Sequence, residues 1–223
     1  MEAVIFAKPP RPGEVKSRLA EAIGPQAAAS FAEAALVDTI ERLGQVPGLD
    51  LVLSTSRLDD GWPAVAQALT QRLQPAGDLG KKMSDAIDRA LQSTDKVTLW
   101  GADAPHFGPG CAEGIRLALN EVDTVLCPSE DGGFYALGSR VSLKGLLEGL
   151  PWSTSEALAS TQEALVNAGL SVRLLYPNFD IDRIDDLHKL EVLVANDPGR
   201  VPAVEQWISQ WRDEAHLGLG CPK

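Results

Sequence analysis

The chain contains 223 residues, of which 44% are hydrophobic and 23% are charged, and 31 Asp and Glu against 20 Lys and Arg give a formal net charge of −11. This length is sufficient for one α/β domain that buries a stable core without disulfides or metals, and we expect a single domain over residues 1–223. A negative overall field repels nucleic-acid phosphates and anionic lipids, which excludes an extended interface with either. Any phosphate-bearing ligand must therefore be bound locally.

The cysteines and the N-terminal segment indicate a cytoplasmic protein. Cys111, Cys127 and Cys221 form no CxxC pair, which is typical of reduced, structural thiols. The segment MEAVIFAKPP lacks the charged start of a signal peptide, and its apolar run is far shorter than the roughly 20 residues that span a membrane. We therefore expect no targeting segment and no membrane partner.

Short apolar segments alternate with segments of helical periodicity in the first half of the chain. The apolar segments, predicted as strands, lie at 3–7, 49–55, 96–101 and 123–128. Helical periodicity begins at Pro25, Trp62, Leu79 and Gly110. This alternation predicts a three-layer α/β/α fold around a mostly parallel sheet, with ligands at the carboxyl ends of the strands.

The pattern changes after Pro128. An acidic turn with two glycines, SEDGG, precedes the apolar segment FYALG, which is typical of a strand antiparallel to its neighbours and predicts a mixed sheet. Residues 171–182 are predicted to supply a last strand and residues 182–194 a helix. A C-terminal helix is predicted at about 201–215, before a frayed tail at 216–223. Its Trp207 and Trp211 lie four residues apart and are expected to pack rather than to bind a ligand.

The first candidate site is the loop KPPRPGEVKSRL at 8–19, directly after the first predicted strand. The loop has a local charge of +3, because it contains four basic residues and one acidic residue. The basic residues are Lys8, Arg11, Lys16 and Arg18. Gly13 and three prolines make the loop rigid, and its end lies near a helix start where amide N–H groups point outward. Two interpretations stay open, a cradle for a polyphosphate or a solvated basic loop, because neither a Walker A nor a GxGxxG motif is present.

Carboxylates follow two further predicted strands. Asp103, in GADAPHF, could hold Mg²⁺ or Mn²⁺ that bridges nucleotide phosphates, or could cap the next helix. Asp180 and Asp182 alternate in FDIDRIDD, so one is expected to point into the site and the other to cap. If Asp182 converges with Asp103, the pair could hold one divalent cation. His106 could be a ligand or an acid–base group, although a lone loop histidine is more often neither.

Three other segments could form walls of the site. In GDLGKKM at 77–83, two glycines flank an aspartate at a helix start, which suits close approach of a ligand to Gly77, Asp78 and Gly80. The turn at 129–138 is either a site wall or a simple hairpin, and its polar residues are Glu130, Asp131, Gly132 and Gly133. In PWSTSEAL, Trp152 and Ser153 could line an acceptor pocket or, by default, belong to a helix cap.

Six stretches in one order resemble a known family: IFAKPPRPGEVKSRLA, GDLGKKM, GADAPHF, PSEDGGFYALG, LPWSTSEAL and FDIDRIDDL, spanning 5–187. They resemble the small bacterial glycosyltransferase-like proteins of the nucleotide-diphospho-sugar transferase superfamily, which have the GT-A fold. Some members are labelled arsenosugar-biosynthesis glycosyltransferases. A weaker resemblance extends to molybdenum-cofactor guanylyltransferases and phospholactate guanylyltransferase, through the KSRL-like loop and the aspartate after the fourth strand.

The resemblance implies roles for individual residues. Nucleotide phosphates would contact Lys8, Arg11, Lys16 and Arg18, and the nucleotide site would also include Gly13, Gly77, Asp78 and Gly80. Asp103 and Asp182 would bind Mg²⁺ or Mn²⁺, and the acceptor side would contain Asp131, Gly132, Gly133, Trp152 and Ser153. Family members usually have GTDCPDL where this chain has GADAPHF, so Ala102, Ala104 and His106 depart from the pattern while Asp103 and Pro105 keep it.

The leading hypothesis is a metal-dependent transferase that moves a glycosyl group from a nucleotide-diphospho-sugar to a small-molecule acceptor, with Lys16 and Asp131 as catalytic residues. Glu130 is an alternative base. Two alternatives stay open. One is a nucleotidyltransferase that joins a nucleoside triphosphate to a phosphorylated small molecule, and the other is a non-catalytic nucleotide-binding protein, which the departures at Ala102 and His106 favour. Whether the chain forms a homodimer also stays open.

Overall fold

The computed structural model describes residues 1–58, 61–108 and 110–216, and its secondary structure alternates strands and helices. The strands are β1 (Glu2–Phe6), β2 (Asp50–Thr55), β3 (Thr70–Leu73), β4 (Val97–Gly101), β5 (Thr124–Pro128), β6 (Phe134–Ser139) and β7 (Val172–Leu174). The helices are α1 (Ser17–Ile23), α2 (Pro25–Gly44), α3 (Ala64–Gln67), α4 (Leu79–Ala90), α5 (Cys111–Ala118), α6 (Ala157–Asn167), α7 (Ile184–Asn196) and α8 (Pro202–His216).

The strands form one mixed sheet with the order β3-β2-β1-β4-β6-β5-β7. Of these seven strands in the described residues, β6 alone runs antiparallel, and it lies between β4 and β5. The carboxyl ends of the parallel strands and the start of β6 therefore meet at one edge of the sheet. The mixed, mostly parallel sheet predicted from the SEDGG turn is confirmed.

Helices cover both faces of the sheet, as the uniformly apolar strands require. Ala3 and Ile5 of β1 pack in a core with residues of α2 and α5, whereas Val4 packs on the opposite face with Ile87 of α4 and Leu165 of α6. The predicted three-layer α/β/α architecture is confirmed.

A third apolar cluster joins α8 to α2. The ring of Trp207 meets Phe31 edge-on at a centroid distance of 5.1 Å and stacks on Trp211 at 5.5 Å. Asp38 of α2 is buried, and its carboxylate accepts hydrogen bonds from the backbone N–H groups of Ala203 and Val204 at the start of α8. The two tryptophans are therefore packing residues, as expected.

Two elements differ from the prediction. The helix predicted from Trp62 is only the short α3, and the chain then enters β3, an edge strand whose Arg72 pairs with the buried Glu2. A polar edge strand lacks the apolar run that identifies central strands. The last strand, predicted to extend to residue 182, ends at Leu174, and Tyr176 then adopts a left-handed backbone with φ 52° just before Pro177.

Several predictions concern parts of the chain outside the described residues. These parts include Cys221 and all but the first residue of the tail predicted at 216–223. Cys111 and Cys127 are both buried, free thiols. None of the helices in the described residues is long and apolar enough to cross a membrane.

Candidate active site at the carboxyl edge of the sheet

A cavity of about 700 Å³ opens at the sheet edge where ligands were expected. The ends of β1 and β4, the start of β6, the beginning of α4 and the segment 152–154 form its walls. Its charged lining residues are Lys8, Glu14, Lys16, Arg18, Lys82, Asp103, Asp131, Asp180 and Asp182. A volume of this size is typical of a small-molecule site.

Lys16 lies between two carboxylates in this cavity. Its ammonium nitrogen contacts Oδ1 of Asp103, lies 3.1 Å from Oδ1 of Asp182, and donates to the carbonyl oxygen of Ile181 at 2.7 Å. The Lys16 side chain is 5% exposed, whereas those of Asp103 and Asp182 are 58% and 40% exposed. A buried ammonium therefore links two carboxylates that a ligand in the cavity can reach.

Backbone hydrogen bonds bring these groups together. The N–H of Ile181 donates to the carbonyl oxygen of Asp103 at 2.9 Å, which joins the segment after β7 to the loop after β4. The N–H of Asn178 donates to Pro128 at the end of β5, and the N–H of Glu130 donates to Asn178, each at 3.0 Å. The two carboxylates therefore converge, as the hypothesis of a shared metal ion requires.

The two carboxylates of this cluster stabilise the charged form of Lys16. Burial lowers the pKa of the Lys16 ammonium, but Asp103 and Asp182 outweigh it, and the pKa is raised above its ordinary value. Arg18 adds a second cation, with Nη1 at 3.6 Å from Oδ2 of Asp182. Lys16 is therefore positively charged at neutral pH.

Asp180 is a further carboxylate of the cavity, beside Asp182. It accepts a hydrogen bond from the Ser129 hydroxyl, and burial, together with the neighbouring carboxylates, raises the pKa of Asp180 to about 6. The prediction that only one of Asp180 and Asp182 faces the site is wrong, because both line the cavity. Residues 179–182 are not in a strand, so the alternation argument does not apply to them.

The donor set fits a hard divalent cation. Mg²⁺ is commonly held by one or two carboxylates together with substrate phosphates and waters, and Asp103 and Asp182 supply two carboxylates at one point. Within the described ranges, no group of three or more His, Cys, Asp or Glu side chains forms a complete metal site. The protein therefore presents part of a coordination shell, which a bound phosphate would have to complete.

The residues predicted to bind nucleotide divide into two groups. Lys8, Lys16 and Arg18 line the cavity. In the part of the chain that the structure describes, the residues that do not line it are Arg11, Gly13, Gly77, Asp78 and Gly80.

The second group includes residues that support the wall of the cavity. Asp78 is the N-cap of α4, and its carboxylate accepts hydrogen bonds from the N–H groups of Lys81 and Gly149 at 2.8 and 2.7 Å. Gly80 packs so closely on the next loop that a Cβ would lie 1.8 Å from the carbonyl oxygen of Leu147. In the structure these two residues hold α4 against the loop that ends at Trp152.

Most of the residues predicted for the acceptor side also line the cavity. Asp131, Gly133, Trp152 and Ser153 line the cavity. Oδ1 of Asp131 accepts the N–H of Gly133 at 2.8 Å, and the Trp152 ring lies edge-on to Phe134. Gly132 is packed against Ser155 instead, with φ +88° and no room for a Cβ. Glu130, the alternative base, does not line the cavity and pairs with Lys189 at 3.0 Å.

His106 is part of the protein core. It is fully buried, and its ring packs on Phe179 at a centroid distance of 4.2 Å. Burial lowers the pKa of His106 to about 4, and the nearby Arg200 and Arg42 lower it as well. His106 also does not line the cavity, so the histidine at this position serves packing.

Comparisons with known proteins agree with this architecture. Residues 39–154 match the family described as "Uncharacterized protein conserved in bacteria (DUF2064)". A Desulfovibrio desulfuricans G20 protein, whose name assigns it to the nucleotide-diphospho-sugar transferases, is 26% identical and has a TM-score of 0.85, over 97% of this chain and 95% of that one. None of the curated proteins matches this chain.

Two more distant structures share the fold. A cytidylyltransferase from Leptospira borgpetersenii serovar Hardjo-bovis is 15% identical with a TM-score of 0.61, over 100% of this chain and 98% of that one. A CMP:2-keto-3-deoxy-manno-octonic acid synthetase, solved in complex with CTP, is 15% identical with a TM-score of 0.56, over 87% and 98% of the two chains.

Proposed function

We propose that this chain, which belongs to the DUF2064 family of uncharacterized proteins conserved in bacteria, is a metal-dependent transferase that acts on a nucleotide-activated donor. The observation that carries the proposal is the meeting of Lys16, Asp103 and Asp182 inside a cavity of about 700 Å³ at the carboxyl edge of the sheet. The similarity over nearly the whole chain to a protein named a nucleotide-diphospho-sugar transferase supports it.

In this proposal, the basic loop binds the diphosphate of the donor. Lys8, Lys16 and Arg18 line one wall of the cavity and supply positive charge where the leaving group gains negative charge. Asp103 and Asp182 would hold Mg²⁺ or Mn²⁺, which neutralises charge on a departing diphosphate when it is bound. Electrostatic stabilisation of the leaving group is the main contribution of this wall.

The preferred reaction is glycosyl transfer to a small-molecule acceptor. The acceptor hydroxyl oxygen attacks the anomeric carbon of the sugar, the bond from that carbon to the phosphate oxygen breaks, and the nucleoside diphosphate leaves with the electron pair. The acceptor proton passes to Asp131, which lines the wall that also contains Trp152 and Ser153. The name of the Desulfovibrio relative supports this choice of donor.

Nucleotidyl transfer is the second candidate, and one observation favours it. Oδ1 of Asp131 is already bonded to the Gly133 N–H, whereas the buried Lys16 ammonium is at the centre of the cluster. In this reaction an acceptor phosphate oxygen attacks the α-phosphorus of a nucleoside triphosphate and diphosphate leaves. An ionised phosphate needs no general base, so Lys16 would be more important than Asp131.

The leaving groups distinguish the two reactions. We suggest incubating the protein with Mn²⁺ and either nucleotide-diphospho-sugars or nucleoside triphosphates, together with panels of hydroxyl and phosphate acceptors, and following phosphorus-31 NMR spectra. Release of a nucleoside diphosphate together with a glycosylated product would support glycosyl transfer, and release of inorganic diphosphate would support nucleotidyl transfer. Nucleotide binding without turnover would indicate a non-catalytic binding protein, and no binding of either class would contradict the proposal.

A further inference from the structure

We propose that Lys16 excludes a divalent cation from Asp103 and Asp182 until nucleotide phosphates draw its ammonium away, so that nucleotide and metal bind cooperatively. The two ligands are the divalent cation and the nucleotide. The inference rests on the proposed function, because that function identifies the nucleotide as a ligand. It concerns how one cation replaces another at the same pair of carboxylates.

The ammonium of Lys16 occupies the position between the two carboxylates that a metal ion would need. Its ammonium contacts Oδ1 of both Asp103 and Asp182, which are the oxygens that converge toward a shared cation. A divalent cation held by the same two carboxylates would be close to the ammonium, and two cations at short range repel each other strongly. The ammonium and the metal therefore compete for this position.

The surroundings of Lys16 allow the exchange. Its ammonium ends a flexible four-carbon stem, a group that readily changes hydrogen-bond partners, and the residue itself lines the cavity. Besides the two carboxylates, the ammonium donates to the carbonyl oxygen of Ile181. A phosphate in the cavity offers it a new anionic partner.

The exchange couples the two ligands. A nucleotide alone must take Lys16 from Asp103 and Asp182, which then repel each other without a cation between them. A metal alone must displace Lys16 into a cavity that offers it no phosphate. When both bind, Lys16 pairs with phosphate and the metal pairs with the carboxylates, so each ligand raises the affinity for the other by the same factor.

The first test measures Mn²⁺ affinity without nucleotide, by electron paramagnetic resonance of the free ion. Lys16→Met removes the ammonium, and Lys16→Gln removes its charge while keeping a hydrogen-bond donor. Both should bind Mn²⁺ at least about tenfold more tightly than wild type, because a close like charge is gone. Lys82→Met, which removes a charge from the same cavity outside this cluster, should change the affinity less than about threefold.

The second test measures binding of UDP, GDP, CDP and ADP by calorimetry, with and without Mn²⁺. The wild type should bind at least one of them more tightly with Mn²⁺. Lys16→Met should lose the part of this coupling that comes from the ammonium, while the part that comes from contact between metal and phosphate remains. Circular dichroism checks that each variant is folded.

The possible failures can be told apart. If the Lys16 variants are folded and bind Mn²⁺ no more tightly than wild type, the competition is refuted. If they gain Mn²⁺ affinity but the wild type binds no nucleoside diphosphate, the exclusion of metal by Lys16 is supported and glycosyl transfer from a nucleotide-diphospho-sugar is contradicted. If Lys16→Met keeps the whole of the wild-type coupling between nucleotide and Mn²⁺, the coupling through Lys16 is refuted while the proposed function stands.

Discussion

The backbone N–H of Ile181 donates to the carbonyl oxygen of Asp103 at 2.9 Å. This hydrogen bond joins the segment after β7 to the loop after β4, although β6 and β5 separate these strands in the sheet. It also places Asp182 beside Asp103, where Lys16 from the loop after β1 meets both. Three distant segments of the chain thus form one charged cluster, and each can be tested separately.

Asp103→Asn should remove the metal-dependent part of nucleotide binding. The change keeps the shape of the side chain but removes a carboxylate from the pair proposed to hold Mg²⁺ or Mn²⁺. We expect the gain in nucleotide affinity on addition of Mn²⁺ to fall at least about tenfold, measured by calorimetry. Binding without metal should not weaken, because Lys16 loses one of the two carboxylates that hold it.

Asp95→Asn is the matched control for this experiment. Asp95 precedes β4 at the opposite end of the strand, and its side chain is 84% exposed. The same loss of one negative charge at this position should leave the nucleotide affinity unchanged, both with and without Mn²⁺. If Asp103→Asn behaves like this control, Asp103 does not bind the metal.

Much of the fold follows from patterns within the sequence. Helix α2 begins at Pro25, as the periodic segment predicts, because a proline is favoured at the first helical position. The central strands are recognisable by their apolar runs. Strand β3 is missed because Thr70, Gln71 and Arg72 look like the continuation of a helix, and only pairing with β2 makes them a strand.

The candidate site is harder to predict than the fold. The positions of Lys16, Asp103 and Asp182 at the sheet edge follow from strand order, but the contacts of Lys16 depend on three segments far apart in the chain. Asp180 lines the cavity together with Asp182 because β7 ends at Leu174, before the strand could impose alternation on these two residues. Gly80 was predicted to lie close to the nucleotide, but its close neighbour in the structure is the Leu147 carbonyl. Local patterns do not contain such long-range contacts.

Asp78→Ala should lower stability and leave nucleotide affinity unchanged. The carboxylate caps α4 and also accepts the N–H of Gly149, so its loss leaves two backbone donors without a partner. We expect the melting temperature to fall by about 2–4 °C. Asp78→Asn, which keeps one acceptor, should lower it less. A loss of nucleotide affinity with an unchanged melting temperature would instead support the predicted contact between Asp78 and nucleotide.

Gly80→Ala should be strongly destabilising although it lies in a helix, where alanine is normally preferred. The added Cβ would lie 1.8 Å from the carbonyl oxygen of Leu147 and 2.8 Å from the Trp152 indole nitrogen, so the loop must move. Overpacking of this kind costs about 1–3 kcal/mol, which urea unfolding can measure. Gly44→Ala is the control, because a Cβ at the end of α2 meets its nearest neighbour at 3.8 Å. Equal stability of the two variants would contradict the contact between α4 and the loop.

His106 should make the protein less stable in mild acid. Because burial holds the pKa of His106 at about 4 in the folded chain, the unfolded chain, whose histidine has a pKa near 6.5, binds the proton first as pH falls. The free energy of unfolding should therefore decrease between about pH 6.5 and pH 4, with a contribution of about 2–3 kcal/mol at pH 4.5. Urea unfolding at pH 7.5 and 4.5 measures this difference, which His106→Gln should reduce even if the variant is less stable at both pH values. His188→Gln, at an exposed position of α7, should keep the wild-type difference, and a His106 variant that also keeps it would show that acid destabilisation arises elsewhere.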